Sequence, residues 1–192
     1  MFNIILSSHN SNKYKEISHI LTPLNIKLLK PPDGFNFEET GKTFLENAII
    51  KAKSLYEKTG EISLGDDSGL CVNVLNGYPG VYSARYEKTA QKRIEKLLNE
   101  IKNVPYSQRD AHFTCAIVLY GKNKILFSTE KYCYGKISFE PIGNNGFGYD
   151  PIFFFPNLQK TMAQLTSEEK NRISHRGQAI EELVKFLKNF NL

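Results

Sequence analysis

Tryptophan is absent from this chain of 192 residues, and methionine and cysteine are scarce, at two and three residues. The cysteines Cys71, Cys115 and Cys133 lack the short spacing that is typical of structural metal sites. Their number is odd, and the amino terminus lacks the basic and apolar regions of a signal peptide. We therefore expect reduced thiols and a cytoplasmic protein. No apolar run approaches the roughly 20 residues that a membrane span needs, so we expect no membrane association.

A concentrated block of positive charge is also missing. The net charge is +5 at pH 7, and the basic residues are scattered along the chain, Lys51 and Lys92 among them. Because nucleic-acid-binding proteins usually gather such residues on one face, we expect no nucleic-acid partner. A small polyanion would still be attracted by the positive field. The length and the hydrophobic content of 41% indicate one well-cored domain over residues 1–192.

Apolar periodicity predicts strands that alternate with helices. Strands are predicted at 2–6, 26–29, 62–64, 70–75, 111–120 and 125–137. Helices are predicted at 13–21, 43–58, 91–101 and 177–190. Thr43 and Glu46 have the spacing of a capping box at the start of the second helix. The order of the elements predicts an α/β fold with a long mixed β-sheet flanked by helices.

Two acidic pairs are candidates for a metal site. Glu38 and Glu39 precede a predicted helix, and Asp66 and Asp67 lie in a predicted turn between two strands, from Gly65 to Gly69. Mg²⁺ usually binds one or two protein carboxylates together with phosphate oxygens and water, so carboxylates from two separate loops would suit it. The alternative is structural: the glutamates favour a helix amino terminus, and the aspartates form a turn.

A polar turn follows the first predicted strand, with the sequence Ser8-His9-Asn10-Ser11-Asn12-Lys13. Hydroxyl, amide and ammonium groups at the start of a helix can bind phosphate oxygens. Helix capping by Ser8 or Asn10, with Lys13 in solvent, explains the same residues equally well. The turn is not a Walker motif, because the glycines and the Gly-Lys-Ser/Thr ending are missing.

A third group of residues could bind a purine base. Phe147 could stack on the rings, Asp150 could accept from ring N–H groups, and His175 with Arg176 could donate to a carbonyl oxygen. Donors at the purine 6-position favour a 6-oxo base over adenine, whose amino group also donates. The structural alternatives are that Phe147 is a core aromatic residue beside Phe153, and that His175 and Arg176 form a helix-cap region with the arginine in solvent.

In this order, the segments closely resemble the inosine triphosphate pyrophosphatase family, also called the Ham1-like family. The matching motifs lie between residue 7 and about residue 180. They are Ser8 to Lys13, Glu38-Glu39-Thr40-Gly41, Glu46-Asn47-Ala48, Asp66-Asp67-Ser68-Gly69-Leu70, Pro79 to Tyr86, Phe147-Gly148-Tyr149-Asp150-Pro151 and Ser174-His175-Arg176-Gly177.

The resemblance implies a fold of two lobes with a cleft between them, a homodimer, and Mg²⁺-dependent hydrolysis of ITP, dITP and XTP to monophosphate and pyrophosphate. It implies that Ser8, His9, Asn10, Ser11, Asn12 and Lys13 bind the triphosphate and that Glu38 and Asp67 bind magnesium. Asp67 would also accept the proton of the attacking water, with Lys13 neutralising the phosphates. The other implied nucleotide contacts are Ser68, Phe147, Gly148, Tyr149, Asp150, Lys170, His175 and Arg176.

Two other functions stay open. One is a Maf-like pyrophosphatase for pyrimidine or modified nucleotides, and the other is a nucleotide- or RNA-binding module without hydrolysis. The acidic pairs argue against a pure binding module, since carboxylates repel a triphosphate unless a metal intervenes. His9 departs from the glycine that many relatives have, and its side chain would narrow the backbone freedom of the turn.

Overall fold

The computed structural model describes residues 2–189 as a mixed α/β fold. The strands are β1 (Phe2–Leu6), β2 (Ile26–Leu29), β3 (Ser63–Val72), β4 (Asp110–Gly121), β5 (Lys124–Ile137), β6 (Phe153–Phe155) and β7 (Lys160–Thr161). The α-helices are α1 (Ser11–Leu21), α2 (Phe44–Thr59), α3 (Ala90–Glu100), α4 (Ser167–Ile173) and α5 (His175–Asn189). None of the helices in this range has the length and apolar character of a membrane-spanning helix.

The seven strands form one sheet in the order β2-β1-β3-β4-β5-β6-β7. β1 pairs in parallel with β2 and with β3, whereas β6 pairs in antiparallel fashion with β5 and with β7. β4 and β5 are joined by a two-residue turn in which Lys122 and Asn123 both have positive φ, as tight hairpins require. The predicted mixed sheet with flanking helices is therefore confirmed.

The predicted turn at Gly65–Gly69 is wrong, because β3 runs without a break from Ser63 to Val72. Glycine, aspartate and serine predict a turn when only local preferences count. Here β3 is hydrogen-bonded to strands on both sides, and the cations described below stabilise both aspartates. Gly65 is needed because α2 packs closely on the strand: a Cβ at this position would lie 2.1 Å from the carbonyl oxygen of Ala48.

Other boundaries differ from the prediction by smaller amounts. β3 ends at Val72 rather than at residue 75, since residues 73–75 form a short 3₁₀ helix. α5 begins at His175, two residues early, directly after the unpredicted helix α4. Its predicted last residue, Phe190, lies outside the described residues. The capping box of α2 is confirmed: Thr43 Oγ1 accepts from the Glu46 backbone N–H at 3.1 Å.

Backbone contacts divide the chain into two compact units. Unit 1 contains residues 1–67, 115–131 and 175–192, and unit 2 contains residues 68–114 and 132–174. The core of unit 1 includes Ile4, Leu64 and Ile180, and that of unit 2 includes Leu70, Leu97 and Phe153, all fully buried. Complete burial of each such side chain contributes roughly 1.5–3 kcal/mol. The three cysteines are buried and, among the residues that the structure describes, are not joined in disulfides.

Candidate functional site

Asp66 is the centre of a buried charge cluster in unit 1. Its Oδ1 lies 2.6 Å from Lys13 Nζ and its Oδ2 lies 2.7 Å from Arg176 Nε. Arg176 Nη2 also donates to Oδ1 at 3.2 Å, and Nη1 donates to Glu16 Oε2 at 2.9 Å. Burial alone would raise the pKa of the Asp66 carboxyl, but Arg176 and Lys13 hold it well below its ordinary value. Asp66 is therefore ionised at neutral pH.

Asp67 has different hydrogen-bond partners, and both lie on α2. Its Oδ1 accepts from Lys51 Nζ at 2.8 Å and its Oδ2 accepts from Asn47 Nδ2 at 3.1 Å. Lys51 also binds Glu39 Oε1 at 2.8 Å, so one ammonium group bridges two carboxylates. Burial raises the pKa of Asp67 above its ordinary value, although the charges of Lys51 and Lys13 oppose the shift. A carboxylate with a raised pKa is suited to accept a proton.

The two aspartates are neighbours in sequence, but their side chains have different ion-pair partners. Successive side chains of a strand point to opposite faces of the sheet. Asp66 therefore faces Lys13 of α1 and Arg176 of α5, while Asp67 faces α2. Asp66 is ion-paired with two cations and Asp67 with one, which offsets the repulsion expected between adjacent like charges in an apolar setting.

The polar segment from Ser8 to Lys13 contains the N-cap and the first residues of α1. Asn10 is the helix cap, and its Oδ1 accepts from the backbone N–H groups of Asn12 at 2.9 Å and Lys13 at 3.3 Å. Ser8 Oγ accepts from the Asn10 backbone N–H at 3.2 Å. Capping by Asn10 is thus confirmed, whereas the alternative of a solvated Lys13 is wrong, because its side chain is 12% exposed and pairs with Asp66. Ser11 is exposed and Asn12 is half-buried at the same turn.

His9 contacts the segment that carries the glutamates. Its Nε2 lies 2.6 Å from the carbonyl oxygen of Phe35, and its ring centroid lies 5.4 Å from that of Phe37. Residue 9 does not have positive φ, so a side chain is accommodated there without backbone strain. The glutamates that follow differ in environment: Glu38 is exposed, whereas Glu39 is half-buried against Lys51.

In unit 2, Asp150 organises the turn that presents Phe147. Its buried Oδ2 accepts from the Phe147 backbone N–H at 2.8 Å and from Lys170 Nζ at 2.6 Å. Lys170 Nζ lies 4.8 Å from the centre of the Phe147 ring. Gly146 has φ +74°, and a Cβ there would lie 2.0 Å from Asp150 Oδ2, so only glycine fits. Asp150, Lys170 and Phe147 are thus in contact with one another.

The remaining predicted residues lie on both units. Tyr149 is buried, and its hydroxyl donates to the carbonyl oxygen of Ser83 at 3.0 Å. Ser68 is half-buried on β3, next to Asp67. His175 is the buried first residue of α5, beside Arg176. The description of Arg176 as a solvated residue is wrong, because its side chain is 2% exposed.

Family comparison assigns the chain. The model of the Ham1 family matches residues 4–186. The chain belongs to the Ham1 family. It is 46% identical over 185 residues to a dITP/XTP pyrophosphatase of Prochlorococcus marinus, covering 96% of this chain and 93% of that protein. It is 48% identical over 193 residues to a dITP/XTP pyrophosphatase of Leptospira interrogans, covering 96% of each chain.

Solved structures of the Ham1 family have the same fold. A HAM1 protein from Coxiella burnetii matches with a TM-score of 0.88 and 43% identity, covering 99% of this chain and 100% of that one. The Ham1 protein of Staphylococcus aureus matches with a TM-score of 0.86 and 41% identity, covering 97% and 98%. The fold implied by the motifs is therefore that of the Ham1 family.

Sequence reasoning missed three polar residues of this Ham1-family site. In the sequence Lys51 is one of the scattered basic residues, yet in the structure it is buried and bridges Glu39 and Asp67. Asn47 belongs to a matching motif, but no pattern in the sequence indicates its role or that of Glu16. A signal was present on α2: Asn47 and Lys51 are four residues apart, on the stripe that also contains Ala48, which is unusual for solvated side chains.

Proposed function

We propose that this Ham1-family chain hydrolyses ITP, dITP and XTP to the nucleoside monophosphate and pyrophosphate, removing deaminated purines from the nucleotide pool. The observation that carries the proposal is Asp67, a buried carboxylate with a raised pKa that is oriented by Lys51 and Asn47. The relatives named dITP/XTP pyrophosphatase support the choice of substrate.

Asp67 is the proton acceptor of the proposed reaction. A water molecule attacks the α-phosphorus while Asp67 accepts its proton, and the bond between the α-phosphorus and the bridging oxygen breaks to release pyrophosphate. Lys51 and Asn47 each donate to one oxygen of Asp67, which orients the carboxylate. Lys13, with the turn from Ser8 to Asn12, binds the phosphate oxygens and offsets their charge.

Mg²⁺ is the proposed cofactor. Over residues 2–189 no group of three or more His, Cys, Asp and Glu side chains could hold a metal on its own. Magnesium with a nucleotide does not need one, since phosphates and water complete its shell. Glu38, whose side chain is exposed, and Asp67 would supply the hard carboxylate oxygens that Mg²⁺ prefers. When bound, magnesium would neutralise phosphate charge and polarise the phosphoryl oxygens.

Phe147 and the turn that presents it are proposed contacts of the base, and His175 is a further proposed contact. The ring of Phe147 is half-buried, so it can stack on a purine. Gly148, Tyr149, Asp150, Lys170 and Ser68 are the other proposed nucleotide contacts. A donor from His175 to the 6-oxo group would favour hypoxanthine and xanthine over adenine. The homodimer and the cytoplasmic location stay predictions from the resemblance and the sequence.

Pyrophosphate release from a panel of nucleotides tests the proposal. We expect turnover of dITP, ITP and XTP with Mg²⁺, much slower turnover of dGTP, dTTP and UTP, and none of dITP when a chelator removes the metal. Faster hydrolysis of dTTP or UTP would favour a Maf-like pyrophosphatase instead. Binding of dITP without pyrophosphate release would identify a non-hydrolytic module.

A further inference from the structure

Four charged side chains of unit 1 form a chain of alternating sign. Glu16 Oε2 pairs with Arg176 Nη1 at 2.9 Å, and Arg176 pairs with both oxygens of Asp66 at 2.7 Å and 3.2 Å. Asp66 Oδ1 then pairs with Lys13 Nζ at 2.6 Å. Glu16 and Lys13 both lie on α1, Asp66 lies on β3 and Arg176 lies on α5. This series of ion pairs therefore begins and ends on α1.

Arg176 is already bound by carboxylates in this arrangement. Each of its three side-chain nitrogens, Nε, Nη1 and Nη2, donates to an oxygen of Asp66 or Glu16. A planar guanidinium held by two carboxylates at these distances has a fixed orientation. Moving it to a base would separate the buried Asp66 and the half-buried Glu16 from their partner, and breaking a buried ion pair is strongly unfavourable.

Lys13 is the last of these four charged residues, and Asp66 positions it. Its ammonium contacts both Asp66 Oδ1 and the Asp66 backbone oxygen, at 2.6 Å and 3.3 Å, and the side chain is only 12% exposed. An ammonium group has three donors, so one donor stays available for a ligand when Asp66 engages the other two. The orientation of the Asp66 carboxylate therefore decides where Lys13 can offer a donor to phosphate.

We propose that Glu16 and Arg176 are positioning residues for Lys13, acting through Asp66, and that Arg176 serves the phosphate side of the reaction rather than the reading of the base. The inference rests on the proposed function, in which Lys13 binds the triphosphate. Glu16 fixes the guanidinium of Arg176, the guanidinium fixes both oxygens of Asp66, and Asp66 fixes the ammonium of Lys13.

A double-mutant cycle tests the coupling. Glu16→Gln keeps the size of the side chain but removes the charge that holds Arg176. With Lys13 misplaced, we expect kcat/KM for dITP to fall about 10- to 100-fold, the range for a small misplacement of a binding group. In the Lys13→Met background the same change should have no further effect, because the group that Glu16 positions is gone. Equal losses in both backgrounds, or none in either, would overturn the inference.

The matched control is Glu181→Gln on α5. Glu181 is exposed and pairs only with Lys185, four residues along the helix, among the ion pairs of the described chain. The Glu181→Gln variant should have the wild-type kcat/KM for dITP. Melting curves and circular dichroism show whether each variant folds. If Glu16→Gln does not fold, Glu16→Asp, which keeps the charge on a shorter side chain, is compared instead, and a loss that is absent in the Lys13→Met background again supports the coupling.

Substrate preference separates the two roles of Arg176. Arg176→Lys keeps the charge but loses the planar fork. The proposed role predicts equal relative losses for dITP, XTP and dGTP, whereas a contact to the base would change the ratio of dITP to dGTP turnover. Binding of inorganic tripolyphosphate, measured by calorimetry, needs no hydrolysis. Suppose that the wild-type protein leaves dITP intact, while Glu16→Gln lowers the affinity for tripolyphosphate. That result would contradict the proposed function but not this inference.

Discussion

Adjacent aspartates have opposite electrostatic environments in this protein. Asp66 is paired with Lys13 and Arg176, which hold its pKa well below the ordinary value. Asp67 is also buried and paired with Lys51, but burial dominates and its pKa is raised. The same residue type thus provides an ionised carboxylate on one face of β3 and the proposed proton acceptor on the other. The alternation of side chains along a strand separates the two roles by one residue.

At the residue scale, Asp67→Asn should abolish turnover and leave the fold intact. The amide keeps the shape but cannot accept a proton from water, so we expect kcat for dITP to fall by about 10²- to 10⁴-fold. Because burial disfavours the ionised carboxylate, the neutral side chain should not lower the melting temperature greatly. Asp33→Asn, at an exposed turn, is the control and should match wild type. Near-normal dITP hydrolysis by Asp67→Asn would remove this residue from the catalytic role.

At the scale of elements, local sequence signals predict the start of α2 but do not predict the conformation of β3. The start of α2 is determined within four residues, because Thr43 and Glu46 satisfy each other's backbone N–H groups. β3 contains residues that usually form turns, yet it is a central strand of the sheet. Its conformation depends on partners distant in sequence: β1, β4, Lys13, Lys51 and Arg176. Local preference predicts an element only when no such partners outweigh it.

The capping box gives a prediction for α2. Thr43→Ala removes the hydroxyl that accepts from the Glu46 backbone N–H, so the free energy of unfolding should fall by about 1 kcal/mol. Thr43→Ser keeps the hydroxyl and should lose much less. Urea unfolding followed by circular dichroism measures both variants. Equal stability of the alanine and serine variants would show that this cap does not stabilise the protein.

At the scale of the whole molecule, the net charge of +5 has a consequence that no single residue carries. The basic residues are dispersed, and Lys13, Lys51 and Lys170 among them are engaged in ion pairs. The rest contribute a diffuse positive potential. Such a potential attracts a polyanionic nucleotide and increases its rate of association, and salt screens it.

Salt should therefore lower kcat/KM for dITP and leave kcat unchanged. Between about 50 mM and about 300 mM NaCl at fixed free Mg²⁺, we expect a decrease of about two- to five-fold in kcat/KM, because the Debye length shortens. Lys188→Glu, at an exposed position on α5, should weaken this dependence, and Lys188→Arg should preserve it. A kcat/KM that is the same at both salt concentrations would mean that the dispersed charge does not guide the substrate.

The sequence by itself determined most strands and helices, the capping box and the mixed sheet, because apolar periodicity and capping are local signals. It also determined family membership, since the motifs occur in order along the chain. Only the tertiary structure decided that Asp66 and Asp67 lie in a central strand, that Lys51 is buried, and that Arg176 binds Asp66 and Glu16. These contacts join residues up to 160 positions apart. Their free energy depends on burial and charge pairing, which exist only once distant segments have come together.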